Sequence, residues 1–273
     1  MKIGKHKTVM GKMKRIVGAS LLVGAMSSSL NAQSIFNGLR GPSRLQIDDR
    51  VIYSENQSQA GIRGNSLTNN LILKYWDGKG KGIFAFASLP YREVTSGESK
   101  SSGLGDISFG VGPRFEAKLG KNKLGLQTYL GTVLPTGNNK SKPSLGTGRN
   151  DYKTGLFGTL LNGSKKYEAD FSFDYSLTEG RKVSNDISSG LVLGGRVNDN
   201  LRLVAGPLFN YKNEGKNNGD FTLSGRLNSR YTPSGELGKK VHFELWYDKS
   251  LRTHGTSPTK NSSTLTLVGR INL

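Results

Sequence analysis

The fourteen residues from Asp106 to Leu119, DISFGVGPRFEAKL, alternate without interruption between two chemistries. Ile107, Phe109, Val111, Pro113, Phe115, Ala117 and Leu119 occupy one phase. Small and charged residues, among them Asp106, Ser108, Arg114, Glu116 and Lys118, occupy the other. A period of two over this length describes one extended strand with chemically opposed faces. Strands of soluble domains typically run about five or six residues, whereas a tilted strand needs about nine to eleven to cross the hydrocarbon core of a bilayer. One face here suits lipid and the other a wet, charged interior, the dyad pattern of a transmembrane β-barrel.

The pattern recurs from Arg44 to the last residue, giving about twelve strand-like runs. They fall at Arg44–Glu55, Asn69–Asp77, Gly82–Val94, the opening stretch, Leu124–Pro135, Asp151–Leu161, Tyr167–Leu177, Asp186–Asn198, Leu201–Lys212, Asp220–Thr232, Val241–Arg252 and a run ending at Leu273. In the first run Asp49 breaks the phase set by Leu45, Ile47, Val51 and Tyr53. The run Gly82–Val94 is apolar on both phases, so its inner face is ambiguous. Connections alternate in length: Asp77–Lys81, Gly120–Lys123, Asn162–Lys166, Val197–Asn200 and Thr232–Lys240 are short, and Thr95–Leu104, Gly137–Asn150 and Thr253–Ser263 are longer and more polar. Short turns at one end and long loops at the other are the habit of outer-membrane barrels. By this alternation the Gly137–Asn150 loop faces outside. The expected fold is therefore all-β: a transmembrane antiparallel up-and-down barrel of about twelve strands. A soluble sandwich or lipocalin-like barrel is the competing architecture, but it would leave many outward aromatic residues without an apolar partner.

Residues 1–32 read as a cleaved signal peptide, with a basic start, the apolar run Ile16–Met26 and small residues ahead of Ala32. That apolar run is too short to span a bilayer as a helix. Residues 33–43, broken by Gly38, Gly41 and Pro42, read as a periplasmic lead-in, and 44–273 as the barrel. This organisation places the protein in the outer membrane of a Gram-negative bacterium, delivered there by the barrel-insertion machinery.

Composition narrows the function classes. The 34% hydrophobic content suits a barrel, where half of each strand is polar, and the absence of Cys excludes disulfides and thiol chemistry. The net charge of +19 is scattered, with no helical stripe or aromatic-rich motif, so nucleic acid is not an expected partner. Anionic headgroups of outer-membrane lipid and lipopolysaccharide are more natural ones. Outside the signal the only histidines are His242 and His254, neither within a catalytic motif, and no metal-ligand or phosphate-binding pattern occurs. No enzyme activity, metal or cofactor is expected.

What is left is the lumen wall. Its candidate selectivity residues are Arg114, Asp170, Asp174, Arg202, Arg226, Arg230 and Glu244. Charges there pair across strands or favour a class of solute. Arg226 and Arg230 share one face, with Arg202 on the preceding strand, and form the best basic strip.

Ser102–Glu116 (SGLGDISFGVGPRFE), Val133–Gly137 (VLPTG) and Ser88–Tyr91 (SLPY) resemble the outer-membrane family named for the MetA pathway of phenol degradation. The resemblance lies in a Gly-Leu-Gly-Asp strand opening, here Gly103, Leu104, Gly105 and Asp106, and a Pro-Thr-Gly strand end, here Pro135, Thr136 and Gly137. It implies a barrel over nearly the whole mature chain and a channel or transporter for small solutes, aromatic or other small hydrophobic compounds among them. Leu273 departs from the aromatic residue that often closes such barrels. The alternative is a barrel without a transport role, whose Lys-rich loops bind lipopolysaccharide phosphates.

Overall fold

The computed structural model describes residues 45–57, 63–77, 81–164, 166–178, 184–213, 219–255 and 261–273. The signal peptide (1–32) and lead-in (33–43) read from the sequence lie outside them. Thirteen strands, β1 to β13, follow one another: Leu45–Gln57, Arg63–Trp76, Lys81–Ser96, Ser99–Leu104, Ile107–Leu119, Asn122–Leu134, Asp151–Leu161, Tyr167–Thr178, Ser184–Arg196, Leu201–Asn213, Asp220–Tyr231, Val241–His254 and Asn261–Asn272. Every pairing is antiparallel and between chain neighbours, except that β3 pairs with both β4 and β5 and that β1 pairs with β13. That last pairing closes the barrel and leaves no long edge exposed. β4 and β5 are one wall position interrupted at Gly105–Asp106, so the wall has twelve strands.

Apart from β4, the strands are 11 to 16 residues long. Burial follows the period of two with the hydrophobic sense reversed from a soluble barrel. Along β2, Ser66, Thr68, Asn70, Ile72, Lys74 and Trp76 are buried, and Leu67, Leu71, Leu73 and Tyr75 are exposed. Such an exterior is stable only against lipid.

One expectation needs correcting, and two readings gain detail. Thr95–Leu104 is not an open loop: β3 turns at Gly97, whose φ of 60° suits glycine, and Ser99–Leu104 returns along it as β4. The run Lys100-Ser101-Ser102 lacks apolar alternation because this hairpin is held by backbone bonds at the rim. The Thr232–Lys240 turn contains a one-and-a-half-turn helix, α1 (Gly235–Lys240). The third run's phase is settled by its aromatic residues, with Phe84 and Phe86 inward and Ile83, Leu89 and Tyr91 outward.

Candidate functional site

The lumen has two unlike arcs. The charged arc draws on β1, β2, β8 and β10 to β13. Asp48 is its hub: Oδ2 accepts from Arg50 Nη2 at 2.7 Å and Lys74 Nζ at 2.6 Å, and Oδ1 accepts from Arg270 Nε at 2.9 Å. Arg270 also donates to Glu244 Oε1 at 2.8 Å, whose Oε2 takes the indole N–H of Trp246 at 2.7 Å. Both Arg50 and Arg226 lie over the Trp246 ring, 5.4 and 4.9 Å from its centroid. Guanidinium groups stack well on indole because they are planar and weakly hydrated.

Arg202 and Arg230 stand directly opposite each other on β10 and β11, a like-charge pairing. Glu168, from β8, relieves it by accepting from Arg202 at 2.6 Å and Arg230 at 2.5 Å. Arg230 further donates to Asp170 at 2.8 Å and lies 3.7 Å from Glu244. Arg226 holds Asp248 in two parallel bonds of 2.7 Å each, the fork geometry that suits guanidinium and carboxylate. The basic strip of Arg202, Arg226 and Arg230 is thus present as a row of residues, and each guanidinium in it is matched by a carboxylate.

The aromatic arc lies across the lumen on β2, β3, β6 and β7, where Ile72, Trp76, Phe84, Phe86, Tyr129 and Phe157 form one buried cluster. Phe86 meets Tyr129 edge-on at 5.4 Å, and Tyr129 stacks with Phe157 at 5.9 Å, both favoured ring geometries. The hydroxyl of Tyr129 donates to Asp174 Oδ1 at 2.8 Å, reaching over β7. Gly155 makes that reach possible, since a Cβ there would meet both the Tyr129 ring and Asp174. Arg114 adds one charge to the aromatic arc: its guanidinium lies 5.0 Å from the Trp76 centroid and pairs with Glu116. Glu116 and Lys118, nearer the end of β5, are exposed.

The motif residues named from the family resemblance meet at one place above the aromatic arc. The Asp106 carboxylate accepts the backbone N–H groups of Gly137 at 2.9 Å and Thr147 at 2.6 Å. The Thr136 hydroxyl donates to the Gly105 carbonyl at 2.9 Å and accepts from Ile107 N–H at 3.0 Å. A Cβ on Gly137 would lie 2.9 Å from the Gly146 Cα, so this approach requires glycine. The 137–150 loop consequently turns inward: Pro143 and Leu145 are buried, Leu145 packs on Val94 and Gly103, and its carbonyl accepts from Arg92 Nη1 at 3.1 Å. The sequence shows a long polar connection here and gives no sign of this inward turn. Lys140, Lys142 and Arg149 do stay exposed.

Four members of the charged arc, Asp48, Arg50, Lys74 and Arg270, escaped the sequence reading. Each sits in the polar phase of its strand, and Asp49 hid that phase in β1. In this part of the lumen wall Arg50, Ile72 and Asn228 are 0% exposed, packed among their neighbours. At the loop end, Glu55, Asn56, Gln57, Arg63, Asn65 and Lys249 line a polar vestibule of about 510 Å³.

The barrel resembles an outer membrane channel from Pseudomonas putida F1 with a TM-score of 0.67 at 16% identity, covering 86% of this chain and 97% of that one. It also resembles the translocator domain of the autotransporter NalP from Neisseria meningitidis (TM-score 0.56, 13% identity, 93% and 98% covered) and the NanC porin (0.50, 11%, 83% and 100%). At such identities the likeness is one of fold. No family model matches the chain, and no curated protein matches its sequence.

Proposed function

We propose that this chain is an outer-membrane channel through which small solutes pass down their gradients. Solutes that combine a ring or short apolar body with a polar group suit it best. The observation that carries this reading is a lumen with one wall of aromatic rings and one of charges, beneath a loop pinned by a few hydrogen bonds. An apolar body can slide along Phe86, Tyr129 and Phe157 while its polar end exchanges partners with the charged arc, which lowers the cost of stripping water from either part. On this reading the arrangement with the loop held by Asp106 and Arg92 is the closed state. Opening requires the 137–150 loop to leave Asp106 and Arg92. On this reading residues 1–32 direct export and are removed, the insertion machinery seats the barrel, and exposed Lys140, Lys142 and Arg149 meet lipopolysaccharide phosphates.

Planar-bilayer conductance and liposome swelling with a panel of solutes test the proposal. Asp106→Ala unpins the loop, and its open fraction should exceed that of the wild type. If both proteins are folded, inserted and silent in both assays, the channel reading is lost.

A further inference from the structure

The lipid-facing side of β1, β2 and β13 carries one anomaly. Along the outward phase of β1, Asp49 stands between Leu45 and Ile47 on one side and Val51 and Tyr53 on the other, before the phase turns polar at Glu55 and Gln57. It is exposed, opposite Leu71 on β2 and Gly269 on β13. Asn69, also exposed, is one outward step along β2, opposite Val51. Among the described residues neither side chain has a hydrogen-bond or ion-pair partner. A Cβ built on Gly269 meets nothing closer than the Asp49 carbonyl at 4.0 Å, so the surface is notched beside the carboxylate. The other outward residues at these levels on the three strands are apolar.

A carboxylate in the middle of an apolar band is costly when it faces lipid and is a mark of function when it persists. We propose that this notch is the contact surface of a lateral dimer with a second copy of the chain. The chemistry selects that partner. Asp49 only accepts hydrogen bonds when ionised, Asn69 has two donors, and the two lie diagonally on adjacent strands. Across a twofold axis along the membrane normal, each Asp49 meets the other copy's Asn69, so the patch is complementary to itself. Gly269 lets the two walls approach, as small residues do between packed transmembrane helices.

This inference rests on the membrane-spanning reading but not on transport. The chain has no Cys, so single cysteines report contacts cleanly. Leu71→Cys flanks the notch, and Leu156→Cys on β7 is a lipid-facing control away from it. Oxidation in native outer membranes should give a disulfide-linked homodimer with Leu71→Cys and not with Leu156→Cys. Adding Asp49→Leu and Asn69→Leu should abolish that band while leaving a heat-modifiable barrel in the membrane. A monomer at Leu71→Cys, equal linkage at both positions, linkage that survives the leucines, or an adduct of another mass each overturns the dimer. Absence of the wild-type chain from the outer-membrane fraction removes the membrane reading itself, and the dimer with it.

Discussion

The two arcs of the lumen are buried to similar degrees and held by different means. In the charged arc nearly every group has several partners: Asp48 serves three cations, and Arg230 faces Glu168, Asp170 and Glu244. In the aromatic arc the rings pack by shape, and one polar handle, Tyr129 to Asp174, crosses it. Buried charges cost free energy unless each stays matched, whereas packed rings lose stability only locally when one is trimmed. The charged arc should therefore fail as a unit and the aromatic arc piecemeal.

The largest expected effect tests that contrast. Asp48→Leu leaves Arg50, Lys74 and Arg270 around a buried apolar side chain. Removing one partner of a buried ion pair costs about 3–5 kcal/mol, so the variant should lose its heat-modifiable band on electrophoresis. Tyr129→Phe should be milder, about 1–3 kcal/mol, since it removes one hydrogen bond from a buried carboxylate. Urea unfolding in detergent measures both, and equal losses would erase the distinction between the arcs.

Ion preference sharpens it further. Arg226→Ser with Arg230→Ser leaves Asp248 and Asp170 uncompensated, so reversal potentials under a salt gradient should shift toward cations. Arg226→Ser with Asp248→Ser removes a matched pair and should leave them in place. A shift of equal size in both would mean that Arg226 acts as a free cation. The smallest effect belongs outside the lumen: Lys100 and Glu93 pair at 3.3 Å with side chains 65% and 42% exposed. Lys100→Ala should change stability by no more than about 1 kcal/mol in the same urea assay, because solvent screens such pairs.

The alternation that makes the wall was legible in the sequence, since lipid outside and water inside impose it residue by residue. Strand starts such as Asp151, Tyr167, Leu201, Asp220 and Val241 coincide with those observed. Partnership inside the lumen was not legible. Glu168 and Arg230 are 62 residues apart, and nothing local to either names the other. Asp49 obscured β1 because one charged residue in the apolar phase looks the same as a slip of register, and a slip would have turned Asp48 and Arg50 outward. Gly103–Asp106 and Pro135–Gly137 stood out as motifs, but their meeting depends on the break between β4 and β5, which a period-two reading does not register.

The bond between Asp48 and Arg270 joins residues 222 positions apart, on the first strand and the last. Until β13 is in place, Asp48 has only Arg50 and Lys74, and Glu244 lacks one of its two arginines. A nascent wall is thus left with unmatched charge at its open seam, and water must stay there to solvate it. Docking the final strand supplies the missing guanidinium to both carboxylates and allows the seam to dry. Closure is checked by charge: a chain cut before Arg270 keeps most of the backbone pairing of β13 with β1 and loses the guanidinium that matches Asp48 and Glu244 across the seam.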